Sequence, residues 1–250
     1  MTIINVICLS AHFLQVKPIK YYNMKLIISK ELIEKSLSSV WDLGNETLYS
    51  LCRDNFDHQK IENVLAKVWL IGRSYAAAIE RRKNAEEPND VFYTGKVYEG
   101  FKASELDSKL AELKCLSQGV SNICELDSTD VTMKALSLHA CLTQLTKEMT
   151  LLEKRSFCSK YLHFHLPSLF FIYDSRAVSA INQLFDGSLK DIKLRIKDAN
   201  VDEEYAIFYY KCLAIGCEIK EKYGVDLTTR QLDNLLVAIS NEQLEKSYLL

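Results

Sequence analysis

Turn-forming residues are scarce: the 250-residue chain holds 8 Gly and 3 Pro. That scarcity argues against a protein built from many short hairpins and favours helices. Charge of one sign is also missing. The formal net charge of −2 gives no global basic field, so any nucleic-acid contact would need a local patch. None of the eight cysteines forms a Cys-x-x-Cys pair, and Cys212 with Cys217 has the wrong spacing for a zinc knuckle. Scattered through apolar helical contexts, they read as free thiols of a reducing cytoplasm. The chain lacks a phosphate-binding glycine loop, a Gly-x-Ser-x-Gly elbow and a His-Glu-x-x-His motif, which removes support for the enzyme classes built on them.

What is present is an ordinary core composition, 48% apolar and 26% charged. The apolar start "MTIINVICLSAHFLQVKPIKYYN" has no basic leader, and His12 and Gln15 interrupt a run too short to span a bilayer. Met24 precedes the first convincing helix. We therefore expect residues 1–23 to be a poorly ordered or mis-started extension and 24–250 to be the domain.

Helical periodicity then recurs along the chain. Ser29 is placed to cap "KELIEKSLSSVWDL" and Asn45 to cap "ETLYSLCRDNF". From about His58, apolar residues at helical spacing predict one long helix running to Lys83. "NAEEPNDVFYTGKVYEGF" reads as a loop or hinge where two lobes meet, near 84–104. "DIKLRIK" alternates apolar and basic residues and reads as a short strand or extended basic edge. Gly224 ends a strongly helical run, and Thr228 with Gln231 forms a capping box. The expectation is an all-α fold of about eight to ten helices in two lobes with a cleft between them.

Chemistry concentrates in "RSFCSKYLHFHLPSLFFIYDSRAVSAI", residues 155–181. A helix from near Ser156 to about His165 puts Lys160 near its start, and Pro167 forbids its continuation. Asp174 is the natural N-cap of "SRAVSAINQLF". A helix advances about 1.5 Å per residue and an extended chain about 3.3 Å, so the connection is long enough to bring Asp174 back to Lys160. A lysine acts as a nucleophile when burial and a positive helix end lower its pKa, and a carboxylate beside it can take its proton.

Elsewhere the candidates have simpler readings. Arg73, placed mid-helix beside small residues, would need an anionic partner if it pointed inward. Lys190, Lys193, Arg195 and Lys197 make the densest basic cluster, either a solvated edge or a phosphate contact. His163 and His165 point to different faces of a helix and are not expected to share a metal.

The segment "SKYLHFHLPSLFFIYDSRAV" resembles the active-site region of the helix-hairpin-helix DNA glycosylases, particularly the 8-oxoguanine-glycosylase-like branch. The resemblance covers about 25 residues. It implies an all-α, two-lobed fold, Lys160 as Schiff-base nucleophile and Asp174 as catalytic carboxylate. It further implies base excision from DNA with strand nicking, in which the base is flipped out of the stack. Arg73, His163, Tyr173, Arg176, Lys193 and Arg195 are the binding candidates around the pair, with DNA or a nucleotide as partner and no metal or cofactor. The family's glycine-rich hairpin has no counterpart in "LLEKRSFCS". The alternative is a non-catalytic helical interaction or nucleic-acid-binding module.

Overall fold

The computed structural model describes residues 23–25, 27–81, 86–127 and 129–248, with Asn23, Thr129 and 243–248 described by backbone alone. Residues 1–22 of the expected extension, and the expected helix end at Arg82 and Lys83, lie outside the described residues. Asn23–Met24 (β1) pairs antiparallel with Phe185–Asp186 (β2). All else that is regular among the described residues is helical, as the scarcity of turn residues predicted.

Helix α1 (Lys30–Ser36) starts on Ser29, whose side chain accepts from the Leu32 amide at 3.2 Å. Helix α2 starts at Asp42 and continues to Asp54, so Asn45 lies inside it rather than capping it. The cause is visible in the turn before it: the Ser39 amide donates to the Asp42 carboxylate at 2.8 Å, fixing an earlier start. Helix α3 (Ile61–Ser74) is shorter than its periodicity suggested. Ala76 adopts φ 52°, a left-handed conformation, and the chain folds back over its own helix. A Cβ on Gly72 would stand 3.1 Å from the Ala78 Cα, so glycine is what permits this reversal.

The expected loop after Pro88 is helical instead. It comprises α4 (Asn89–Val91), a wider-wound π-helical stretch (Phe92–Val97) and α5 (Tyr98–Ala103). Phe92, Val97 and Phe101 are buried there, and their packing overrides the glycines at 95 and 100. Helices α6 (Leu106–Ser117), α7 (Thr129–Thr150) and α8 (Arg155–His165) follow, then α9 (Ser175–Leu184). "DIKLRIK" is not a strand: Leu189–Arg195 forms α10, which buries Ile192. Helix α11 (Glu203–Tyr223) stops at Gly224, φ 68°. Helix α12 (Thr229–Tyr248) opens on the expected capping box, the Thr228 amide donating to Gln231 at 2.9 Å and the Gln231 amide to Thr228 at 3.2 Å.

Helix α8 is the axis of the molecule. Every residue from Phe157 to His165 is buried, as expected of a helix enclosed on all faces. It packs against α2, α3 and α7, while α9 packs against α11 and α12. The buried apolar side chains from Ile28 to Ile239 form one connected core. The end of α3, the start of α9 and the start of α12 therefore converge beside the first turns of α8. No described helix is long and apolar enough to cross a membrane.

Candidate functional site

The connection from α8 to α9 is fixed almost atom by atom. Tyr209 and Tyr205 of α11 donate their hydroxyls to the Leu169 and Phe171 carbonyls, each at 2.9 Å. His163 Nδ1 donates to the Phe170 carbonyl at 2.8 Å, and the Tyr173 amide donates to Ser159 Oγ at 3.0 Å. These bonds return the chain to the start of α8. Asp174 then caps α9, its Oδ1 accepting from the Arg176 and Ala177 amides, each at 3.0 Å.

Its second oxygen, Oδ2, stands 3.6 Å from Lys160 Nζ. The lysine side chain is 3% exposed and the aspartate 27%. The amine also donates to Ser156 Oγ at 3.0 Å and to the Tyr75 carbonyl at 3.3 Å. Burial lowers its pKa below the ordinary lysine value, and Asp174 and then Asp233 oppose that fall by favouring the charged form.

Two residues that the sequence did not single out complete the cluster. Arg230, in the first turn of α12, donates from Nη1 to Asp233 Oδ2 at 2.8 Å and from Nη2 to the Tyr75 hydroxyl. The Tyr75 hydroxyl in turn donates to Asn45 Oδ1 at 2.6 Å. The Tyr75 ring lies under both cations, 5.8 Å from Lys160 Nζ and 5.5 Å from the Arg230 guanidinium carbon. Burial pushes the Asp233 carboxyl up to about 6, with Arg230 opposing the rise. Asp233 Oδ1 and Arg230 Nε are buried without a hydrogen-bond partner. Arg230 and Asp233 are three apart on one helix face, a spacing legible in the sequence. Their meeting with Tyr75 depends on tertiary packing and is not.

The remaining candidates are placed as follows. His163 borders the cluster but is committed to structure: its Nε2 accepts from the Tyr49 hydroxyl at 2.7 Å, and burial lowers its pKa to about 3. His165, on a different face, bonds the Tyr161 carbonyl through Nδ1 at 2.7 Å. Arg176 is exposed at the start of α9 and acts on Lys160 through its charge. Tyr173 points to α11, donating to Glu204 and meeting the Phe208 ring edge-on at 5.2 Å.

Arg73 is not inside a long helix. It stands in the last turn of α3, half exposed, paired with Glu80 and 6.0 Å from the Trp69 ring. Lys193 pairs with Glu203 at 2.8 Å and Arg195 with Asp127 at 3.6 Å, so the expected basic edge is partly neutralised by its own carboxylates. Among the described residues no group of three or more His, Cys, Asp or Glu could hold a metal ion. A surface groove of about 880 Å³ lies elsewhere, between α5, α7 and the turn before α11; Ser104, Lys109, Thr143, Glu148 and Asp202 line it. Neither Lys160 nor Asp174 borders that groove.

The arrangement is an amine and a carboxylate in contact, largely shielded from water, with a buried Arg–Asp pair behind them. Such a set can hold an amine near neutrality, accept its proton, and stabilise positive charge formed beside it. Comparison of the chain with protein-family models, with curated proteins and with solved structures finds no match.

Proposed function

We propose that the chain is a DNA-glycosylase-like protein in which Lys160 is the nucleophile and Asp174 the carboxylate that serves it. The observation that carries this reading is the 3.6 Å approach of Lys160 Nζ to Asp174 Oδ2, on an amine whose pKa is lowered by burial. In the reaction the neutral amine attacks C1′ of a damaged nucleotide. The C1′–N bond breaks and the base leaves with its electron pair, taking up a proton. Asp174 accepts the amine proton as the new C–N bond forms. Opening of the sugar ring leaves a Schiff base between Lys160 and C1′. To reach C1′ the amine must leave Ser156 Oγ and the Tyr75 carbonyl, so substrate has to replace those contacts.

A second reading rests on the same burial. A lysine 3% exposed, held by two neutral acceptors and one carboxylate, also satisfies every requirement of a structural ion pair in a non-catalytic binding module. Borohydride trapping separates the two. Duplex DNA carrying an abasic site or 8-oxoguanine is incubated with the full chain and reduced. A covalent adduct is expected with the wild type and none with Lys160→Ala. Failure of the wild type to form any adduct, together with no DNA binding at low salt, would leave only the second reading.

A further inference from the structure

Far from the lysine cluster, the short 3₁₀ turn Ile123–Asp127 lies against the middle of α11. The Ile123 side chain packs directly onto the α11 backbone at Gly216. A Cβ built on Gly216 would stand 3.3 Å from the Ile123 Cβ and 2.7 Å from its Cγ2. Disulfide-bonded residues have Cβ atoms about 3.5–4.5 Å apart, so the two segments already meet at disulfide range. The next residue on each side is a cysteine. Cys124 and Cys217 are both free, both half-buried, and their side chains act directly on each other. The turn that carries Cys124 is held in place locally: the Cys124 amide donates to Asn122 Oδ1 at 3.0 Å, and the Ser121 amide to Glu125 at 2.6 Å.

We propose that Cys124 and Cys217 form a redox modification site, a dithiol that peroxide converts to a disulfide tying the 3₁₀ turn to α11. Oxidation begins at Cys124. The Cys217 thiol is pushed up by burial, and by its contact with Cys124, and is the poorer nucleophile. Lys220, one turn further along α11, is close enough for its charge to oppose that rise at Cys217. The Cys124 sulfur attacks one peroxide oxygen; the O–O bond breaks, water leaves, and a sulfenic acid remains. Cys217 sulfur then attacks the Cys124 sulfur. The S–S bond forms, the S–O bond breaks, and the hydroxyl leaves as water with the thiol proton. Two thiols are oxidised and one peroxide is reduced to two waters.

The test uses the full reduced chain treated with a small excess of hydrogen peroxide, followed by a non-reducing peptide map. The expected product is one linked peptide pair, Cys124 with Cys217, two hydrogen masses lighter than its parts and released by a thiol reductant. Cys217→Ser should lose the link and carry Cys124 on to sulfinic acid, with an unchanged circular-dichroism melt of the reduced protein. The proposal is overturned if the wild type keeps both thiols free while exposed Cys115 is oxidised, or if Cys124 links to Cys115 as often as to Cys217. The wild-type map decides this even if the variant folds poorly.

Discussion

Replacing Asp233 by Asn probes the charge balance of the buried cluster through the pH dependence of folding. Burial raises the Asp233 carboxyl from 3.8 to about 6; Arg230 and Lys160 oppose the rise and Asp174 adds to it. The folded state therefore holds this proton more tightly than the unfolded chain. The sign follows: the stability contributed is complete below about pH 4 and is lost as pH rises through about 6. Roughly two pKa units at about 1.4 kcal/mol each make about 3 kcal/mol across that window. Asparagine carries no proton in either state. Arg230 stays charged throughout, so its lost partner shifts the stability of Asp233→Asn by a constant and leaves the slope alone. The stability of wild type minus that of the variant should fall by about 3 kcal/mol from about pH 4 to about pH 7. Urea unfolding followed by circular dichroism at half-unit pH steps reads it. A difference flat to within about 0.5 kcal/mol would mean that Asp233 ionises as freely folded as unfolded, and the cluster would not be the low-dielectric site described.

Two further perturbations test the site and the fold. Asp174→Asn keeps the N-cap of α9, since Asn and Asp cap about equally, but takes the carboxylate from buried Lys160, so it should cost about 2–4 kcal/mol while abolishing borohydride trapping; trapping retained in the folded variant would mark Asp174 as structural. Gly216→Ala forces a Cβ to within 2.7 Å of Ile123 Cγ2. It should cost about 1–3 kcal/mol in denaturant unfolding, and a neutral result would show that the 3₁₀ turn yields easily.

The features legible in the sequence were those whose physics is local. Ser29, Asp174, Gly224 and the Thr228–Gln231 box all act within a few residues of themselves, and each stands where its chemistry placed it. The Lys160–Asp174 encounter was also within reach, because a helix rise and an extended connection fix how far the chain can return. Packing decided the rest. Phe92, Val97 and Phe101 hold 89–103 helical against its glycines, and the alternation in "DIKLRIK" hid a helix that buries Ile192. Arg73 reads as mid-helical because nothing nearby in the sequence announces the reversal at Ala76. The role of Arg230 and Asp233 is not legible in the sequence because it depends on Tyr75, a distant residue that reaches Arg230 only in the folded chain.

Tyr75 meets the lysine through its main-chain oxygen and the arginine through its phenol. One residue thus serves two cations with chemically independent handles. Removing only the phenolic oxygen takes one partner from the guanidinium, which keeps its bond to Asp233, and leaves the amine moored, because no side-chain change deletes a peptide carbonyl. The carbonyl's position answers instead to the left-handed kink at Ala76, so the two Tyr75 contacts can be altered separately by choosing neighbouring positions in the chain.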